Sequence, residues 1–120
     1  MARAAYAGPN APTRTARDIE HEAFARVTHR LKAALAAEKT GFPALARALH
    51  DNRILWATLA ADVAEPTNGL PQALRAQIFY LFEFTRLHSA RVLAGLATAD
   101  ILVDINTSVM RGLRREEGGV

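Results

Sequence analysis

The stretch Ala48-Leu49-His50-Asp51-Asn52-Arg53-Ile54-Leu55-Trp56-Ala57-Thr58-Leu59-Ala60-Ala61-Asp62-Val63 decides the fold class. At about 100° per residue, Leu45, Leu49, Asn52, Leu55, Trp56, Leu59 and Val63 fall within about half of a helical wheel. One apolar side and one charged side make an amphipathic helix. Pro43 suits its first turn, where a missing N–H costs nothing. Beyond it, Glu65-Pro66-Thr67-Asn68-Gly69-Leu70-Pro71 holds two prolines and an Asn-Gly pair, which is a firm break.

Working outward, the same period recurs on both sides. Upstream, a helix begins near Thr13 to Thr15, where Thr15 can cap and Asp18 suits the positive helix end. Ile19, Ala23, Phe24, Val27, Leu31, Ala34 and Leu35 form its stripe, and Gly41 is expected to end it. Downstream, a third helix runs from Pro71 to about Ala94, with Gly95 as its stop. A fourth follows Thr98, a candidate cap. It presents Leu102, Ile105, Asn106, Val109 and Leu113, and ends by Arg115. No segment alternates with period two for long, so the fold class is all-α, a compact bundle of about four amphipathic helices. Residues 1–12 read as a flexible N-terminal arm, 13–115 as one helical domain, and 116–120 as a frayed tail.

Composition agrees. The chain has 120 residues and 13.0 kDa, the size of one domain. Half its residues are apolar and 22% are charged, which excludes general disorder. Twenty-five alanines favour helix. Without cysteine there is no disulfide, no thiolate metal site and no thiol nucleophile, and a reducing compartment fits. No apolar run nears the roughly 20 residues of a membrane span. Met1 to Pro12 lacks the apolar run of a secretory signal. The net charge is +3 and the pI about 10.0, but the basic residues are spread along the chain.

The residues that carry catalysis do not converge. His21-Glu22 begins a zinc-protease pattern, but Ala25 stands where the second histidine should be. His21, His29, His50 and His88 lack metal spacing. His88 reads as a satisfied or partly exposed histidine near an apolar stripe. Gly69 and Gly95 stand alone, with no phosphate loop and no nucleophile elbow. Asp100 and Asp104 share a helix face, where a cap or a solvated role suits them. The expectation is a non-enzyme without metal or cofactor.

Three features remain. Phe79-Tyr80-Leu81-Phe82-Glu83-Phe84 holds half of the chain's eight aromatics. On the wheel, Leu74, Ile78, Leu81, Phe82, Thr85 and Val92 gather in one direction. Ala73, Tyr80, Phe84 and Leu87 gather nearly opposite, with Phe79 between. Such a helix is either central in its fold or docked to a second body. A candidate partner surface comprises Tyr80, Phe84 and Leu87, with Phe79 and Arg91 beside it; burial on both sides is the alternative. Second, Asn52 and Asn106 interrupt apolar stripes. A buried amide without partners costs about 1–3 kcal/mol, so the two are expected to bond to each other or to helix ends, pairing the second and fourth helices. A bond to a partner chain is the alternative. Third, Arg86 and Arg91 flank the aromatics, where arginine and rings together could stack RNA bases. A solvated helix face is the plainer reading.

The strings Ala48-Leu49-x-x-Asn52-x-x-Leu55-Trp56, Asn68-x-Leu70-Pro71-x-x-Leu74-Arg75-Ala76-Gln77-Ile78, Asp104-Ile105-Asn106 and Arg111-Gly112-Leu113 resemble the bacterial flagellar FlaF family. The likeness runs over roughly residues 19 to 115. It implies a small cytoplasmic protein of flagellum biogenesis, needed for flagellin synthesis and secretion. Members of the family look like flagellin-binding export chaperones that oppose a regulator repressing flagellin translation. No catalytic residues and no cofactor come with it. Asn52, Trp56, Asn68, Leu70, Pro71, Leu74, Arg75 and Asn106 carry over as fold- or partner-defining positions. The alternatives are an RNA-binding regulator of the flagellin message and an adaptor for another flagellar regulator. Homodimerisation through the spare face would compete with partner binding.

Overall fold

The computed structural model describes residues 16–37 and 41–117, with side chains described from His21 to Gly112. Four helices follow in order: α1 (Ala16–Ala36), α2 (Gly41–Ala64), α3 (Gln72–Leu93) and α4 (Asp100–Glu117). No strand occurs among the described residues. The arm of residues 1–12 and the cap at Thr15 lie outside the described residues.

The helix ends follow local chemistry. α1 closes at Ala36, before Gly41. Gly41 was expected to end α1; instead it opens α2, with φ +73, a conformation glycine adopts without steric cost. α3 ends as the sequence predicts. Gly95 takes φ +79, its N–H donates to Val92 O at 3.0 Å, and Leu96 N–H donates to Arg91 O at 2.8 Å. These two bonds satisfy carbonyls that a helix end would leave open. Thr98, the expected cap of α4, sits one residue too early, and Ala99 precedes the helix. Ala99 O accepts from Leu102 N at 3.0 Å. α4 continues to Glu117, two residues past the expected end at Arg115, so Glu116 and Glu117 belong to the helix rather than to a frayed tail.

The Asn68-x-Leu70-Pro71-x-x-Leu74-Arg75 string builds the α2–α3 corner. Asn68 Oδ1 accepts the Leu70 N–H at 3.0 Å, a turn closed by its own side chain. Asn68 Nδ2 reaches back to Asp62 at 3.3 Å. Pro71 caps α3, and Leu70 tucks into the core. Arg75 then donates from Nε to Val63 O at 3.0 Å and from Nη2 to Glu65 O at 3.3 Å. A cation on the last carbonyls of α2 also complements the helix dipole.

α1 packs on α2 and on α4, and α2 packs on α3. The core has two apolar clusters. One joins Phe24, Trp56, Leu59, Val63, Leu70 and Ile78; the other joins Leu31, Ala48, Leu49, Val92, Ala99 and Leu102. Phe24 meets the edge of Trp56 at 5.5 Å between ring centres, with the planes at 89°. Between the clusters along the helices lies a polar layer: Thr28 on α1, Asn52 on α2 and Asn106 on α4, all buried. Asn106 Nδ2 donates to Asn52 Oδ1 at 2.8 Å and to Thr28 Oγ1 at 3.0 Å. Its Oδ1 accepts the Trp56 indole N–H at 2.9 Å. The two amides do bond to each other, and neither has exposed surface for a partner chain.

Candidate partner-binding face

The polarity of α3 separates its two apolar sets. Ile78, Thr85, Ser89 and Val92 are buried, and Leu74, Leu81 and Phe82 are partly buried at the edges. The opposite face looks outward. Tyr80 is 68% exposed and Leu87 56% exposed. Phe84 is half-buried and stacks on His88, with ring centres 5.3 Å apart and planes 18° apart. His88 in turn donates from Nε2 to Thr98 O at 2.8 Å, so it is a satisfied histidine bracing the α3–α4 loop. Burial of the aromatic set on both sides, the alternative left open by periodicity, does not occur.

Five residues were expected to meet a partner. Four of them, Tyr80, Phe84, Leu87 and Arg91, share the outward side of α3. Phe79, 41% exposed, stands apart, about 100° round the helix from Tyr80. Arg91 is exposed, and its Nη2 lies 3.4 Å from Leu96 O at the helix end. Arg86 pairs with Glu83 at 2.8 Å, one turn away. The two arginines thus have local partners and do not form an open basic strip with the rings.

The family-motif residues lie elsewhere. Trp56, Asn52 and Asn106 form the buried polar layer, and Asn68, Leu70, Pro71 and Arg75 form the α2–α3 corner. Leu74 packs against the core beside Ile78. All of these contacts lie within the fold.

Sequence reasoning missed a second apolar feature, the groove between α2 and α3. Its space is about 300 Å³, and Ile54, 54% exposed, stands on its rim. The signal was present: Ile54 lies roughly opposite the buried stripe of α2, where a charged residue is the usual occupant. A smaller cleft of about 130 Å³ separates Leu74, Ile78 and Leu81 of α3 from Val109 and Gly112 of α4.

Among the described residues, no group of three or more metal-ligating side chains converges. No helix among them is long and apolar enough to cross a membrane. The class of protein is therefore an all-α bundle, closed by a buried amide layer, whose exposed apolar side chains include Tyr80 and Leu87 on the outward face of α3. The sequence model of the family described as flagellar protein FlaF matches residues 2–113, and the chain belongs to that family. The match takes in the aromatic stretch of α3 as well as the motif strings, and it begins before α1. Comparison with curated proteins gives no match, and neither does comparison with solved structures.

Proposed function

We propose that this flagellar protein binds flagellin in the cytoplasm as a secretion chaperone and so promotes flagellin synthesis and filament assembly. The observation that carries the reading is the outward face of α3: Tyr80 and Leu87, more than half exposed, with Phe84 between them along the helix. A lone monomer has little reason to keep large apolar side chains in water on one helix face. Flagellin supplies the complement, because its terminal regions form helices only when packed in a filament. Their apolar stripes need cover before export, and a helix laid on the α3 face gives it. Ordering such a segment costs several kcal/mol, so affinity is moderate and release at the export apparatus is feasible.

Beside the aromatic cluster Arg86 is paired with Glu83, which weakens phosphate contacts there and favours a protein partner for this face. The test is calorimetric titration of flagellin, and of its isolated terminal segments, into the protein at physiological salt. Saturable binding is expected. It is lost in Tyr80→Glu combined with Leu87→Glu, while circular dichroism stays helical. Absence of binding to every flagellin segment refutes the proposal.

A further inference from the structure

The groove between α2 and α3 is built differently from the α3 outer face. His50, Arg53 and Ile54 line it from α2, and Phe82, Thr85 and Arg86 line it from α3. Its lining is mainly apolar, with Ala57 and the buried Trp56 completing it. No acidic residue lines it. Arg86 is paired with Glu83 at 2.8 Å. Arg53 is exposed and has no ion pair among the described residues. At the groove wall, the buried Thr85 Oγ1 has no hydrogen-bond partner. Phe79 continues the Phe82 and Arg86 ridge one turn earlier on α3, so the apolar surface extends past the groove along the helix.

The geometry points to a second docking site, one that takes an acidic amphipathic helix of a protein partner. Two antiparallel helices bordering an open groove accept a third helix along it, with one apolar side chain of the guest entering beside Ile54 and Phe82. Charge selects which helix enters. A carboxylate about one turn from the entering side chain meets the unpaired Arg53 at the rim, whereas a lysine in that place meets like charge. This site stands whether or not flagellin is the cargo, because it uses none of Tyr80, Phe84 or Leu87.

The test uses isotope-labelled full-length protein and two helical peptides of about five turns with the same leucine ridge. In one, glutamates flank the ridge; in the other, lysines replace them. Amide and methyl shifts are followed by NMR. Expected are saturable shifts at Ile54, Ala57, Phe82 and Thr85 with the glutamate peptide, at least tenfold weaker binding of the lysine peptide, and at least tenfold weaker binding of the glutamate peptide to Arg53→Glu. Tyr80→Glu with Leu87→Glu leaves these shifts in place. The inference is overturned by any of three results: no shifts in the groove, equal affinity for both peptides, or shifts centred on Tyr80 and Leu87. Loss of flagellin binding with groove binding intact would refute the proposed function alone.

Discussion

Trp56 donates its indole N–H to the amide oxygen of Asn106 at 2.9 Å, across a sequence separation of 50, in a layer with no water access. That bond makes a buried amide tolerable and links the longest helix to the last one. Asn106 uses its remaining hydrogens on Thr28 and Asn52, so one side chain ties three helices together. An apolar residue there would fill space without specifying which helix faces which. The polar layer selects one alignment, because a shift of one turn leaves buried donors unpaired.

Asn106→Leu is therefore expected to be severe. It strips partners from Trp56, Thr28 and Asn52 at once, and should cost about 3 kcal/mol or more. Chemical denaturation measures it. Trp56→Phe removes the donor and shrinks a fully buried ring, and should cost about 1–3 kcal/mol. The double variant should fall well short of the sum, since both changes break the same bond. Additive effects would mean that the two residues do not depend on each other.

Arg75→Met keeps the aliphatic stem and removes the guanidinium from the Val63 and Glu65 carbonyls. A loss of about 1–2 kcal/mol is expected, because Val63 O at the end of α2 regains only water, while Glu65 O keeps its bond from Asn68 N–H at 3.0 Å. Hydrogen exchange should quicken at the end of α2 and the start of α3 before it changes in α1. Unchanged protection at the corner would refute this role.

Thr85 and Ser89 carry buried hydroxyls without partners, and Asn52 Nδ2 is likewise unpaired. Thr85→Val replaces the hydroxyl by a methyl of similar size. The folded protein should be unchanged or more stable by about 1 kcal/mol, read as a rise in the thermal midpoint. A fall of similar size would mean that an ordered water or a guest group satisfies the hydroxyl.

Gly95→Ala tests the end of α3. A Cβ at that position meets nothing within 4 Å, so only the backbone conformation opposes it. A cost of about 1 kcal/mol is expected from the positive φ. Gly95→Asn should cost less, since asparagine tolerates that region better. Equal effects of the two would point to crowding, which the open space excludes.

Tyr80→Ser and Leu87→Ser should each change stability by no more than about 0.5 kcal/mol, the usual range for exposed positions. Val92→Ser, from the buried face of the same helix, should cost several times more. This contrast, measured by denaturation, separates the outward face from the core without reference to any partner.

How much of this was legible in the residues varies from place to place. The four helices, the break at 65–71 and the stop at Gly95 were readable, because propensity, period and turn chemistry act over a few residues. The apolar stripes were readable for the same reason. The Asn52–Asn106 bond was readable as an expectation, since a buried amide must find a partner and few candidates lay on facing stripes. Thr28 was not, because nothing local distinguishes a threonine that accepts across a core from one that faces water. Gly41 was read as an end and opens α2: a positive φ is the mark of a helix end, and the residues alone do not say which helix claims the glycine.

By itself the sequence determined an all-α chain with two apolar directions on α3 and membership of the FlaF family. Only the tertiary structure decided that one direction is core and the other is surface, since that depends on which helices come to lie beside α3. It also decided that Ile54 and Phe82 border one groove. Periodicity follows from the helix alone, and burial from what packs against it.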